Sequence, residues 1–429
     1  MLSPGAAGAT ETPFEFRLRN DHGYRLAVQP HARCRAFVCG VPAFTTGAEG
    51  HDWGGSVVVV VATDPIDELA SLFLFLAETD FAGYSPLYEN LARSVAADRE
   101  MLGFIAGAAS PNTRRGRIPV LFFAAVHDAT LAVPDSDLAV IYRGDSDGDP
   151  HEALVRFVDE QQDLLTETMR TRSVQTNEVG RSAVLLPALV VAAAGRTSVA
   201  LVEVGPSAGV NLYLDRYHIT YERDGASLAE VGSPESPVHL RCSLRGDALP
   251  GLGPVPDVVT RSGIDLAPLD ATDPRQRRWL NACIWPGQPQ RTAALNAALD
   301  VVADGGPDLV RGDAVAGLAP RVSLVANDQF PVVVSTWALA YLSASEREDL
   351  LSQLDAIGAQ RDLALITFEE PRFTPWIPAP DPADDQREGD GTLTALGLRT
   401  WRGGRVTSSL LGYAHPHGRW LRWLRPAVP

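Results

Sequence analysis

The stretch TSVALVEVGPSAGVNLYLD, Thr197 to Asp215, sets a carboxylate at the point where an apolar run meets a turn of small residues. TSVALVEV reads as a buried strand, apolar and rich in valine with no polar face. Gly205, Ser207 and Gly209 then allow a tight turn and a close approach of ligand to backbone. VNLYLDRY reads as the helix that follows, offering unpaired N–H groups at its start. Glu203 stands at the strand's C-terminal end, where open parallel sheets bind their ligands. A dinucleotide fingerprint would carry its acid about 20 residues after the glycines. Here the acid comes two residues before the first glycine, where it repels a pyrophosphate and attracts an ammonium. The ligand expected is one with an amino-acid part and a nucleoside but no phosphate.

Downstream of this stretch the pattern alternates. DVVTRSGIDLAPLD is a strand ending at Asp265, and DPRQRRWLNACIW and RTAALNAALDVVA are helical. DLVRGDAV is a short strand ending near Asp313, FPVVVSTWALAYL a buried strand, and SEREDLLSQLDAIGAQ a helix. LALITFEE is another buried strand, and TLTALGLRTWRGGRVTSSLLGYAH gives two strands about Gly403-Gly404. Strands alternating with helices imply an α/β fold, a mostly parallel sheet covered on both faces, with a closing antiparallel hairpin. HITYERDG and SPVHLRCSLRG read as exposed strands of an inserted flap over residues 218–255. The proline- and acid-rich segment 371–391 is expected to be a mobile loop.

Upstream the spacing of apolar residues is helical. PIDELASLFLFLAETD, SPLYENLARSVAADREMLGFIAGA, PVLFFAAVHDATLAV, HEALVRFVDEQQDLLTETMRTR and NEVGRSAVLLPALVVAAA all carry it. Ser85-Pro86 suits a helix start, serine as cap and proline in the first turn. Residues 63–195 are therefore expected to form an all-helical cap domain and 196–429 the α/β domain. Because the last helix runs directly into the strand at Thr197, the cap should close over the C-terminal edge of the sheet. Residues 1–62 read as a β-rich extension, with a hairpin signal in FEFRLRNDHGYRLAV and a buried strand in SVVVVVA.

The totals exclude several chemistries. Among 429 residues there are 37 basic and 53 acidic, a net charge of −16, which argues against nucleic acid as the main ligand. The chain has no lysine. That removes a Schiff base to pyridoxal phosphate, a phosphate-loop lysine and a kinase lysine; a GC-rich genome explains the bias. Cys34, Cys39, Cys242 and Cys283 show no C-x-x-C pair and read as buried thiols of a reducing compartment, with no metal site expected. No apolar run reaches the ~18 residues of a membrane span, and the N-terminus lacks a secretory pattern. A cytoplasmic location is expected.

E-x-G-x-S-x-G at Glu203 to Gly209 resembles motif I of class I S-adenosylmethionine-dependent methyltransferases, a Rossmann-like fold. That resemblance covers roughly Thr197 to His415. It implies that Glu203, Gly205, Ser207 and Gly209 hold the amino-acid end of S-adenosylmethionine. Asp265 of SGIDLAP would hold the ribose hydroxyls, and Asp313 of RGDAV would lie near the adenine. Glu222, 19 residues after Glu203, competes for the ribose role because the insert separates Glu203 from GIDL. The bland alternatives are a helix-capping acid for Glu203 and turn or capping acids for Asp265 and Asp313. From about Pro65 the chain also resembles an actinobacterial family without an assigned activity. SPLYENLA, FFAAVHD, TNEVGRSAVLLPAL, EVGPSAGVNL, RSGIDLAPLD, WPGQPQR and HPHGRWLRWL carry that likeness, in this order.

On these terms the expected function is methyl transfer from S-adenosylmethionine to a small molecule. The rivals are a cyclisation or rearrangement in the same pocket and a non-enzymatic ligand-binding protein. The acceptor should lie beyond the strands VVVSTWALAYL and ITFEEPRF, which brings Ser335, Thr336 and Trp337 to its floor. Of Glu369 and Glu370 only one can enter, since neighbours on a strand point to opposite faces. Glu369, His415 and His417 are the candidate bases, with loop capping as the structural alternative for Glu369. Two histidines without an acid make a poor metal site. Tyr84, Tyr88 and Asn177 are expected to face the cofactor side, and His127 to be a core histidine. Glu178 reads as a first-turn helix acid or a group over the cofactor, and Trp285 as a stacking or packing ring.

Overall fold

The structure, a computed structural model, describes residues 64–379 and 393–424. The expected β-rich extension at 1–62 and most of the acidic proline-rich loop lie outside the described residues. Contacts unite Ile66–Pro429 into one unit, so the helical region and the sheet do not part into separate units at residue 195.

Among the described residues seven α-helices precede the sheet: α1 (Pro65–Glu78), α2 (Pro86–Ala97), α3 (Arg99–Ala108), α4 (Ile118–Ala132), α5 (Asp137–Arg143), α6 (Pro150–Thr171) and α7 (Ser182–Ala193). The single helix expected from SPLYENLARSVAADREMLGFIAGA is two. Asp98 accepts hydrogen bonds from the Glu100 and Met101 amides at 3.1 and 3.0 Å, capping α3 and ending α2. Pro86 takes the first turn of α2, but the Ser85 side chain makes no capping bond. Phe73, Phe81, Phe122 and Phe123 fill the helical core. Tyr88 belongs to that core rather than to the site: its ring stacks on Phe123 at 4.6 Å, and its hydroxyl donates to the Phe123 carbonyl. An aromatic side chain on the inner face of α2 gains more from that apolar interior than from the wetter edge of the sheet.

Helix α7 is apolar on all sides and contains Pro187, and it is buried against the sheet. A helix without a polar face has nothing to offer water. It leads into β1 (Ser198–Val204), which pairs in parallel with β5 (Asp257–Asp265) on one side and β7 (Phe330–Thr336) on the other. Beyond β5 lies β6 (Asp308–Arg311), and beyond β7 lies β8 (Leu363–Glu369), all parallel. The antiparallel strands β9 (Thr394–Arg402) and β10 (Arg405–Ala414) follow as a hairpin about Gly403-Gly404. Helices α8 (Pro274–Ala282), α9 (Pro289–Gly305), α10 (Ala314–Ser323) and α11 (Ala344–Gly358) connect the parallel strands.

The insert is not a flap. Its strands β2 (His218–Arg223), β3 (Ala226–Val231) and β4 (His239–Arg245) join the sheet through β11 (Trp420–Trp423), giving the order β3-β2-β4-β11-β10-β9-β8-β7-β1-β5-β6. β4 pairs in parallel with β11, so the chain's C-terminal strand bridges insert and hairpin. An exposed hairpin leaves a row of amides and carbonyls unpaired, and continuing the sheet satisfies one such row. Leu240, Cys242 and Leu244 alternate onto the buried face and enter the core that also holds α7.

The helical region meets the C-terminal edge of the parallel strands, as its direct link to β1 required. Gln175 Nε2 donates to the Ala267 carbonyl after β5, and Arg114 to the Tyr341 carbonyl after β7. Arg278 of α8 forms a bidentate pair with Asp128 of α4. Trp279 is buried among the helices, and its indole donates to Ser173.

Candidate functional site

The turn after β1 is left-handed at Gly205, Ser207 and Gly209, with φ of 70°, 53° and 82°. At Gly205 a side chain would also come within 2.9 Å of Ala338 Cβ. For Ser207 such a backbone costs about 1–3 kcal/mol and persists only where its surroundings hold it. They do: the Ser207 amide donates to Asp265 Oδ2 at 2.9 Å, its hydroxyl to Gln175, and Asn177 Nδ2 donates to that hydroxyl at 2.5 Å. Asn177 Oδ1 accepts the Ala208 amide at 3.1 Å, and Asp265 Oδ1 accepts the Ala267 amide at 2.8 Å. The run after Gly209 is a 3-10 turn, Val210–Arg216, rather than the expected α-helix.

Glu203 is 1% exposed, and its Oε2 has no hydrogen-bond partner. Burial pushes its carboxyl up to about 8, against the opposing pull of Asn211 and Arg181. Glu369 ends β8 and is fully buried. Its Oε1 accepts from the Ser335 hydroxyl at 2.8 Å and from the Ala338 and Leu339 amides at 2.9 and 3.1 Å, while Oε2 has no partner. Burial pushes Glu369 up to about 7 despite those donors. It thereby caps the turn after β7, where Trp337 is left-handed with φ of 57°. Glu370 points elsewhere and pairs with Arg372.

A second cluster joins this edge to the turn after β10. Glu178 Oε2 receives Arg291 Nη2 at 2.5 Å and lies 2.9 Å from His417 Nδ1. Burial pushes Glu178 up, but Arg291, His417 and Arg181 together pull harder and hold it at about 2. Burial lowers His417, with Glu178 opposing. An ionised acid beside a neutral imidazole fixes the tautomer: Nδ1 carries the proton and donates to Glu178, leaving Nε2 as the acceptor. His415 Nδ1 accepts the His417 amide at 3.0 Å. Arg181 donates to the carbonyls of Pro416 and Thr336, tying this turn to the end of β7. Tyr84 completes the group, with its ring 5.9 Å from His417 and 5.2 Å from Trp285, Arg419 lying over it at 4.3 Å.

Of the residues expected from sequence, the structure thus gathers Glu203, Gly205, Ser207, Gly209, Asp265 and Asn177 at one strand end. Ser335, Trp337 and Glu369 stand at the next, and Arg181 ties the turn that carries His415 and His417, beside Tyr84, to that strand end. Asp313 is exposed and caps α10 by accepting the Ala316 amide. Glu222 lies on β2 near the far edge and pairs with Arg241. His127 is a core histidine, its Nδ1 3.1 Å from the Ala282 carbonyl and its ring pushed down by burial to about 4. Sequence reasoning missed Gln175, Arg181 and Arg291. The signal was available in QTNEVGR and WPGQPQR, which put polar groups beside apolar helices.

Within this edge the residues expected to hold a nucleoside are already paired inside the chain. One cavity of about 280 Å³ lies nearby, between the Pro268–Thr272 segment and the α9–β6 connection, and neither Glu203 nor Asp265 lines it.

Residues 70–423 match the profile of a family described as "Uncharacterized protein conserved in bacteria (DUF2332)". The chain belongs to this family. The match runs from α1 to β11, so the helical region and the bridging strand are parts of the family's body rather than additions to an α/β domain. None of the curated proteins matches this member of DUF2332. Among the described residues no group of three or more His, Cys, Asp or Glu side chains is placed to hold a metal ion. Among them, too, no single helix is long and apolar enough to cross a membrane.

Proposed function

We propose that this member of DUF2332 is an enzyme that transfers a methyl group from S-adenosylmethionine to a small molecule. The observation that carries the reading is Glu203: a fully buried acid with an unpartnered oxygen, directly before a left-handed turn at a parallel strand's C-terminal end. A buried acid held near 8 is relieved by a cation, and the cofactor's ammonium and sulfonium are cations.

The nucleoside half does not fit the present packing. Both Asp265 oxygens accept backbone amides, and Gln175 and Asn177 occupy the Ser207–Ala208 turn. When bound, the cofactor supplies a methyl on a sulfonium sulfur. The protein's part in such a displacement is chiefly positioning, worth up to ~7–11 kcal/mol. The same internal pairing supports a second reading, a non-enzymatic ligand-binding protein. A cyclisation or rearrangement in the same pocket would draw on the same residues.

Calorimetry with S-adenosylmethionine and its demethylated product is the test. Hydrogen bonds to charged groups contribute roughly 1.5–3 kcal/mol, so Glu203→Gln, which removes the acid that would meet the cofactor's cation, should weaken binding by about one to two decades. Gly209→Val should abolish it, because φ is 82° there and Leu212 and Pro307 lie against the position. Melting curves of both variants separate lost binding from lost fold. No binding by the natural chain, or equal binding by all three proteins, refutes the reading.

A further inference from the structure

We propose that His417, oriented by Glu178, is the proton acceptor of this site, and that it acts on a hydroxyl of a small, ring-bearing molecule lodged against Tyr84 and Trp285. The inference rests on the enzymatic reading above and concerns the acceptor's side of it, away from Glu203.

Three observations carry it. First, Glu178 fixes His417. The carboxylate sits 2.9 Å from Nδ1, is anchored by Arg291 at 2.5 Å, and also accepts the Gly180 amide. A histidine held this way presents Nε2 as its acceptor, as histidines oriented by a carboxylate do in base catalysis. Second, the turn bearing His417 is locked to the turn bearing Glu178. Gly180 and Gly418 pass so closely that a Cβ on either would collide with the other's backbone turn, and Arg181 Nε bonds the Pro416 carbonyl at 3.0 Å. Third, the ring is not sealed. The His417 side chain is 25% exposed, while Glu178 behind it is 7% exposed. So the base faces outward and its orienting acid inward. Tyr84 and Trp285, both partly exposed, meet edge to face beside it, and this aromatic flank favours an apolar body with one polar group.

The proton step is simple. The hydroxyl O–H breaks, its proton passes to Nε2, and the oxygen keeps the electron pair; the imidazolium later releases the proton to water. The charged and titratable groups facing His417 are Glu178 and Arg181 from the turn before α7, and Arg291 from the first turn of α9. His415 faces it from its own turn, and Asp80 and Tyr84 from the connection between α1 and α2, with Arg117 acting on Asp80. Glu178 is a positioning residue in this scheme, since it reaches the substrate only through the imidazole.

Carbethoxylation by diethyl pyrocarbonate tests this on the full chain, read by peptide mass spectrometry from pH 5 to 8. The reagent acylates an unprotonated imidazole nitrogen and releases ethanol and carbon dioxide. His151, whose side chain is 29% exposed, is the internal standard. His417 should react at least as fast as His151 at pH 7.5, with a midpoint below the ordinary 6.5. In Glu178→Gln the midpoint should fall further, because the anion that favours the imidazolium is gone. Phenol at millimolar concentration should slow His417 several-fold and leave His151 unchanged. Should Glu178→Gln fail to fold, ¹⁵N ring shifts of the natural chain decide alone: a neutral Nδ1–H tautomer is required. An unreactive His417, a midpoint that ignores Glu178, absent protection by phenol, or an Nε2–H tautomer each overturns the proposal. None of these readings uses S-adenosylmethionine, so their failure and the failure of cofactor binding are distinguishable.

Discussion

Glu203→Gln should stabilise the protein at pH 8 relative to pH 5. In the unfolded chain this carboxyl ionises at its ordinary 4.5, whereas in the native site burial holds the proton until about 8. Between those values the native state binds more protons than the unfolded state, so the acid's contribution to stability falls as pH rises. At ~1.4 kcal/mol per pH unit, the whole interval amounts to about 5 kcal/mol, and the part between pH 5 and pH 8 to about 4 kcal/mol. Glutamine carries no such penalty. It has its own cost, because an amide NH₂ replaces the unpartnered Oε2 and a buried donor without a partner loses roughly 1–3 kcal/mol. That cost is the same at both pH values and cancels in the comparison. Glu369, pushed up to about 7, titrates alike in both proteins and cancels too. The assay is urea denaturation of both full chains at pH 5 and 8, with the variant's gain taken as the difference between the two pH values. A gain near 4 kcal/mol supports a buried, protonated acid awaiting a cation. If the gain is below about 1 kcal/mol, Glu203 is already ionised by Arg181 and the reasoning fails.

Two further predictions concern the second cluster. Glu178 behaves oppositely to Glu203: held at about 2 against an ordinary 4.5, it contributes stability that is complete above pH 4.5 and lost as pH falls toward 2. Glu178→Gln, which strands Arg291, should therefore cost about 3–5 kcal/mol at pH 7 and about 2 kcal/mol less at pH 3, a contrast that acid and neutral urea titrations would read. Gly418→Ala should cost at least ~1 kcal/mol, since φ is 70° and the Gly180 carbonyl blocks the new methyl. A melting curve unchanged by that substitution would show that the two turns are not locked.

Much of the α/β architecture was legible in the sequence because it is local. β1, β7 and β8 announce themselves as short apolar runs, and the helices between the strands by spacing, since burying a parallel strand on both faces demands such composition. The turn at Gly205–Gly209 was legible for a similar reason: a left-handed backbone selects glycine. Even the covering of the C-terminal edge by the helical region followed from the few residues joining α7 to β1. What misled was local as well. Asp98 broke one expected helix into two, because a carboxylate that caps two amides outweighs a continuous apolar stripe. The insert 218–255 has the alternation of an exposed hairpin, and alternation cannot say that β11, some 175 residues on, will pair with β4.

The candidate site divides along the same line. By itself the sequence determined Glu203, the glycine turn and the acids at neighbouring strand ends, because chain direction alone carries every parallel strand to one edge. Tertiary structure decided which of those acids stay available. It turned Asp265 inward onto the Ser207 and Ala267 amides, left Asp313 as an exposed cap and buried Tyr88 among phenylalanines. It also brought Glu178 to His417 across 239 residues of sequence. That pairing exists only because two glycines let two turns touch and because Arg291 and Arg181 offset the cost of burying a carboxylate. Neither condition is written in the periodicity of any single segment: charge compensation in a protein interior depends on what arrives from elsewhere in the chain.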